Sequence, residues 1–169
     1  AQMIRVATYG DIDSILSIVR SAQLSLRELG IDQWQDGYPS REAIEEDITR
    51  GVGYVMCNDN DTIIAYAAIV LDGEPAYSQI DETEWHTEGR YVVVHRLCVA
   101  ASARRKGGAI GMMQHAIALA KEAGIKAFRI DTHEGNIRML AMLRKLGFER
   151  CGIVYYDSGK RIAFDLKLD

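Results

Sequence analysis

Apolar residues recur along the chain with two periods, and the switches between them lay out the elements. Met3–Thr8 reads as a short strand. Ile12, Ile15, Val19, Ala22 and Leu26 then follow the helical period, with Asp11 or Asp13 as the cap and Gly30 as the stop. A polar and aromatic loop from Ile31 to Pro39 leads to Ser40, which can cap a second helix carrying Ile44 and Ile48 before Gly51. Val52–Asn58 and Thr62–Leu71 are strand candidates flanking Asn58-Asp59-Asn60-Asp61, a run with the chemistry of a hairpin turn.

After Asp72-Gly73 and a polar stretch comes the most β-prone segment, Tyr91–Val99, a candidate for the central strand. A basic, glycine-containing turn then opens a helix from about Gly108 to Ala123, stopped by Gly124. Strand Lys126–Asp131 and a helix from about Asn136 to Leu146, stopped by Gly147, follow. Phe148–Tyr156 and Arg161–Leu168 bracket Asp157-Ser158-Gly159-Lys160 as a last hairpin. The order β-α-α-β-β-β-α-β-α-β-β implies an α/β fold with a mixed sheet and helices on its faces.

No repeat, low-complexity tract or linker divides the chain, so a single domain over residues 3–169 is expected, with Ala1 and Gln2 ahead of Met3 reading as a cloning remnant. A chain of 169 residues buries roughly 68–70% of its unfolded surface, enough for a core without disulfides or metal. A net charge of −4 disfavours a duplex nucleic acid partner. Cys57, Cys98 and Cys151 are odd in number and far apart, with neither C-x-x-C spacing nor paired histidines nearby; they read as reduced thiols of a cytoplasmic protein with no metal site. No apolar run approaches the roughly 20 residues that span a bilayer, so no membrane partner is expected.

Chemistry concentrates at Arg104-Arg105-Lys106-Gly107-Gly108-Ala109-Ile110-Gly111, where the β-prone strand gives way to a helix. The first turn of a helix offers backbone N–H groups and the positive end of its dipole, and glycines let a ligand approach the main chain. With three cations beside it, the turn suits a pyrophosphate better than a carboxylate. Neither a G-x-x-x-x-G-K-[ST] loop nor a G-x-G-x-x-G spacing is present, which excludes the two commonest nucleotide cradles. The bland alternative is a glycine turn with solvated cations.

The same residues resemble the GNAT superfamily of acetyl-CoA-dependent N-acetyltransferases, whose pyrophosphate loop [QR]-x-x-G-x-[GA] is satisfied by Arg104, Arg105, Lys106, Gly107, Gly108 and Ala109. Leu97-Cys98-Val99 is similar to the end of the family's fourth strand, whose splayed edge pairs with the pantetheine arm. Asn136-Ile137-Arg138-Met139, closing with Lys145-Leu146-Gly147-Phe148, is similar to the family's N-x-x-A…K-x-G-F stretch, which makes Asn136 a coenzyme A contact. The resemblance implies the acyl-CoA N-acyltransferase fold, a mostly antiparallel sheet flanked by helices, and an acetyl group moved from acetyl-CoA to a primary amine. The alternative is a non-catalytic acyl-CoA-binding or regulatory module. Two positions depart from the family: Met139 replaces a small residue, and Leu143 stands where many members carry a tyrosine acid. A thiol of pKa near 8.5 leaves adequately as the thiolate. Tyr155 and Tyr156 are candidate substitutes for the acid.

The attacking amine is the harder problem, because at a lysine-like pKa it is neutral only about once in 2,500 molecules at pH 7, a deficit of about 4–5 kcal/mol. His95 is the histidine on the central strand candidate, where some family members place a catalytic histidine or glutamate; a satisfied strand histidine is the competing reading. Gln33, Trp34 and Tyr38 lie in the loop that borders the acceptor cleft in the family, or else cover the core. Six acidic residues without Lys or Arg between Asp72 and Gly89 would attract a cationic amine, although charge runs more often form a mobile, solvated loop. The acceptor is expected to be a small-molecule or peptide amine, and a homodimer stays open.

Overall fold

The computed structural model describes residues 3–35, 37–104 and 107–169. Its elements are β1 (Met3–Val6), α1 (Ile12–Glu28), α2 (Arg41–Thr49), β2 (Gly53–Cys57), β3 (Ile63–Val70), β4 (Val92–Val99), α3 (Gly108–Glu122), β5 (Ala127–Thr132), α4 (Ile137–Lys145), β6 (Glu149–Tyr156) and β7 (Gly159–Lys167). This is the expected order, with short 3-10 turns added at Tyr9–Asp11, Pro75–Ser78 and Ala101–Ala103. The seven strands run in the order β1-β2-β3-β4-β5-β7-β6; among the described pairs β4–β5 is parallel and the others are antiparallel. No helix among the described residues is long and apolar enough to cross a membrane.

The fold divides into two compact units. The first comprises Ala1–Ile69 and Val94–His115. Here β1 pairs with β2 from Met3↔Cys57 to Val6↔Tyr54, and β2 with β3 around an irregularity at Met56/Cys57. Of the stripe predicted for α1, Ile12, Ile15 and Val19 are buried, joined by Leu16 and Ile18, and pack with Ile44, Val55, Cys57, Tyr66 and Cys98, while Ala22 and Leu26 are only half-buried. Full burial of one such aliphatic side chain is worth about 1.5–3 kcal/mol. Ser40 caps α2 through its hydroxyl, which accepts from Ala43 N. Asp11, by contrast, spends its carboxylate outside its own helix, accepting from Thr8 N and pairing with Arg5.

A buried polar network interrupts this apolar core. Asp47 on α2 is 1% exposed and accepts from the Tyr66 hydroxyl at 2.6 Å and from Arg96 Nε and Nη2 at 2.8 and 2.6 Å. Burial pushes the Tyr66 phenol well above its ordinary range, and the carboxylate adds to that. For Arg96 burial works against the charge, but the hydrogen bonds to Asp47 prevail and raise its pKa.

The second unit comprises Val70–Val93 and Ala116–Asp169. Val92 and Val93 align with Phe128 and Arg129 of β5, and β7 lies between β5 and β6. Phe128 meets Phe148 edge to face, with Ile130, Leu143, Val154 and Ala163 also buried. Gly159 and Lys160, expected in a four-residue turn, already belong to β7, so only Asp157 and Ser158 connect the strands. The acidic segment before β4 is likewise not the loosely solvated loop that its charge suggests. Tyr77 is buried, Asp81 bridges to Ile153, Thr83 Oγ1 donates to Cys151 O, and Glu82 pairs with Arg150. Gly152, at φ 151, makes this docking fit, because a Cβ there would run into the Asp81 carbonyl oxygen.

Two stability outcomes follow. Gly152→Ala should lower stability by roughly 2–4 kcal/mol through backbone strain and overpacking, read as a drop in denaturation midpoint; an unchanged midpoint would remove the close approach. Asp47→Asn, which leaves a buried guanidinium without its counter-charge, should cost about 3–5 kcal/mol, whereas Tyr66→Phe, which removes one neutral donor, should cost about 1–3 kcal/mol. Equal losses would contradict the assigned charges.

Candidate active site

The turn between β4 and α3 begins with Ala100 N donating to Ile64 O, which ties the end of the strand to its neighbour. Gly107 follows at φ 80, a backbone state open to glycine, and its carbonyl receives Gly111 N at 2.8 Å as α3 begins. The two glycines have different tasks. A Cβ on Gly107 would stand in open space, whereas one on Gly108 would lie 2.9 Å from Val99 Cγ1. Gly107 therefore leaves the turn open, and Gly108 lets the helix sit against the strand. Arg104 Nη2 donates to Ser21 Oγ of α1 at 3.5 Å. Arg105 and Lys106 lie outside the described residues.

Upstream, β4 is not a regular strand. Among the described residues its ladder to β5 covers Val92 and Val93, and Arg96 adopts φ 57, a left-handed conformation that costs a non-glycine residue about 1–2 kcal/mol. The ion pair to Asp47 holds it there. His95 is half-buried immediately before this turn, Leu97 and Val99 are half-buried after it, and Cys98 is buried. Burial pushes the Cys98 thiol up to about 12, so it stays neutral and its side chain belongs to the core. A strand edge without a ladder partner offers N–H and C=O groups to an extended ligand. The cradle residues Arg104, Gly107, Gly108 and Ala109 and the strand residues His95, Leu97, Cys98 and Val99 all belong to the first unit.

Gln33, Trp34 and Tyr38 are in the same unit, and the structure separates their roles. Trp34, at φ 65, lines a cavity of about 320 Å³ with Arg20, Gln23, Leu24, Arg27, Gln35 and Gly37. The Tyr38 hydroxyl accepts from Arg96 Nη1 at 3.0 Å, which ties the loop to the Asp47 network. Gln33 Oε1 is buried with no hydrogen-bond partner among the described residues. Sequence reasoning missed Asp47, Tyr66 and Arg96. Asp47 carried one signal, a carboxylate three residues after Ile44 and therefore on the apolar face of α2.

Asn136 belongs to the second unit, where its Oδ1 caps α4 by accepting from Met139 N at 3.2 Å, leaving its amide N–H groups to point elsewhere. Leu143 is fully buried, so the position of the family's tyrosine is filled by a core side chain. Of the substitutes, Tyr155 is exposed, and Tyr156 donates to Asp131 Oδ2 at 2.6 Å, as Tyr77 does. Burial, with Asp131 adding to it, pushes both of these phenols above their ordinary range.

A family model described as Acetyltransferase (GNAT) family matches residues 20–148. A GNAT-family acetyltransferase from Streptococcus agalactiae 2603, solved by crystallography, has a TM-score of 0.88 and 34% sequence identity, covering 99% of this chain and 95% of that one. The NatC complex bound to Gag peptide and CoA shares the fold at 13% identity, with a TM-score of 0.70 over 99% of both chains. GCN5-related N-acetyltransferase 6, chloroplastic, of Arabidopsis thaliana is 35% identical over 60 residues; the match takes in 36% of this chain and 21% of that protein, so the chain spans about a fifth of that relative. By these likenesses the chain belongs to the GNAT acetyltransferase family, whose reaction class is acyl transfer from coenzyme A to an amine.

Proposed function

We propose that the chain transfers an acetyl group from acetyl-CoA to a primary amine of a small molecule or peptide. The observation that carries this reading is the open Gly107 turn at the start of α3 joined to an interrupted β4, in a chain of this family. In this reading the amides of Gly107, Gly108 and Ala109, with Arg104, Arg105 and Lys106, hold the pyrophosphate. Main-chain groups of Leu97, Cys98 and Val99 hold the pantetheine arm, and Asn136 adds a contact. The amine nitrogen attacks the thioester carbonyl; the C–N bond forms, the C–S bond breaks, and the thiolate takes a proton from solvent. His95, directly or through a water, takes the proton that the amine gives up.

The cavity beside Trp34 supports an acceptor of a particular kind. Arg20 and Arg27 line it from α1, so it favours an amine that also carries a carboxylate or phosphate over a polyamine. Steering by the acidic segment has less support, because Glu82 is paired with Arg150. One observation favours acyl-CoA binding without turnover instead, the core leucine at position 143. Release of free thiol from acetyl-CoA across a panel of amines separates the two readings: tight coenzyme A binding with no amine-dependent thiol would leave the binding module standing.

Gly107→Leu should weaken coenzyme A affinity far more than Gln114→Ala, and equal affinities by calorimetry would move the cradle elsewhere. His95→Ala should lower kcat by a factor of about 10² to 10⁴ with coenzyme A affinity nearly intact. Raising the pH should partly restore turnover, since more of the amine is then neutral unaided. A folded His95→Ala protein with wild-type kcat and an unchanged pH–rate profile would remove the base.

A further inference from the structure

In the second unit, three segments bring unlike donor atoms to one point. His86, on the docked acidic segment, places Nδ1 3.3 Å from Cys151 Sγ on β6 and 3.1 Å from Asp165 Oδ1 on β7. The three donor atoms lie within 4.8 Å of one another. Glu149 Oε2, also on β6, is 3.7 Å from the same ring nitrogen. The residues are 65 and 79 positions apart in sequence, which is why no motif announces them.

Hydrogen bonding satisfies only part of this arrangement, with the Cys151 thiol donating to Glu149 O at 3.5 Å. One ring N–H can point at only one acceptor, yet Nδ1 faces a sulfur and two carboxylate oxygens. A cation at the centre satisfies all of them. The donor types, a soft thiolate, an imidazole and carboxylates, are those that zinc takes. The edges of a tetrahedron built from zinc's ordinary bond lengths to N, O and S are about 3.3–3.6 Å; the spacings of His86 Nδ1 to Cys151 Sγ and Asp165 Oδ1, 3.3 and 3.1 Å, are within a few tenths of an ångström of those edges, and all three donors lie within 4.8 Å of one another.

The surroundings are those of a supported ligand set. Asp165 is 2% exposed, and its other oxygen, Oδ2, is taken up by His86 N, Thr87 N and Thr87 Oγ1 at 2.8, 2.9 and 2.9 Å. Those bonds fix the carboxylate and leave Oδ1 aimed at the cluster. Arg129, stacked between Trp85 and Tyr91, in turn holds Thr87 through Nε to Oγ1 and Nη2 to the carbonyl. Hydrogen bonds behind a ligand, of this kind, are what orient metal sites. Cys151 is buried, and the His86 side chain is 46% exposed, which gives an ion a way in from solvent.

We propose that His86, Cys151 and Asp165, with Glu149 closing the shell, form a zinc site that staples the acidic segment to β6 and β7. On binding, the Cys151 thiol gives its proton to solvent and the sulfur joins the metal. The site is separate from the acyl-transfer reading and does not depend on it.

The test is titration of the intact chain, stripped with a chelator, with zinc chloride and with cobalt(II). One zinc per chain should bind. Cobalt should give a sulfur-to-metal charge-transfer band, and the melting temperature should rise with zinc. His86→Ala, at a half-exposed side chain, should leave the metal-free melting temperature near wild type while weakening zinc binding at least tenfold and abolishing the zinc-induced rise. Cys151→Ser should remove the charge-transfer band, and Glu149→Gln should weaken binding less than His86→Ala does. Failure of the wild-type chain to bind a stoichiometric zinc would overturn the proposal. So would binding unaffected by His86→Ala, or a cobalt spectrum without the sulfur band.

Discussion

The path of β4 depends on one ion pair. Arg96 occupies a left-handed backbone state in the middle of a strand, and the buried carboxylate of Asp47 keeps it there with two of its hydrogen bonds. Without that partner the residue would relax toward extended backbone, and the segment from His95 to Val99 would resume the regular alternation of a strand. Burying the pair is expensive in itself, since both charges leave water. Three donors on Asp47 offset that cost, and the return is a single conformation for a segment whose main chain is the proposed contact with a thioester. Tyr38 extends the same network into the loop between α1 and α2, so one carboxylate fixes both a strand edge and a loop.

The order of elements was legible in the sequence because the two hydrophobic periods alternate cleanly. The stripe Ile12, Ile15, Val19 and the glycine stops at 30, 124 and 147 needed no tertiary context. Reading failed where tertiary contacts decide. Gly159 and Lys160 look like turn residues and pair as strand. The acidic run looks like a solvated loop, yet it docks through Tyr77, Asp81 and Thr83. Of the candidate site, the turn at Gly107 proposed to hold a pyrophosphate could be named from the sequence because its chemistry is local, a glycine and a helix start within a few residues. The Asp47–Arg96 pair could not, because its members are 49 residues apart and Asp47, though on the apolar face of α2, does not name its partner.

A cavity lined by cations bears on the amine that must react. An ammonium bound within about 8 Å of a guanidinium is repelled by roughly 2 kcal/mol at an effective dielectric constant near 20. Arg20 and Arg27 are both exposed, so water and salt screen most of that repulsion, and the pair would offset only a small part of the deficit of about 4–5 kcal/mol of a lysine-like nucleophile at neutral pH. An anionic group on the same acceptor reverses the sign for the molecule as a whole, because its carboxylate or phosphate gains what its ammonium loses. Such a substrate would be drawn in by its anion, which at the same time cancels part of what the guanidiniums do to its nitrogen. A polyamine entering the same cavity would suffer the repulsion without the attraction. In the proposed reaction such a site would lighten the work of deprotonation without replacing it, and a base, His95 in this reading, would still take the proton.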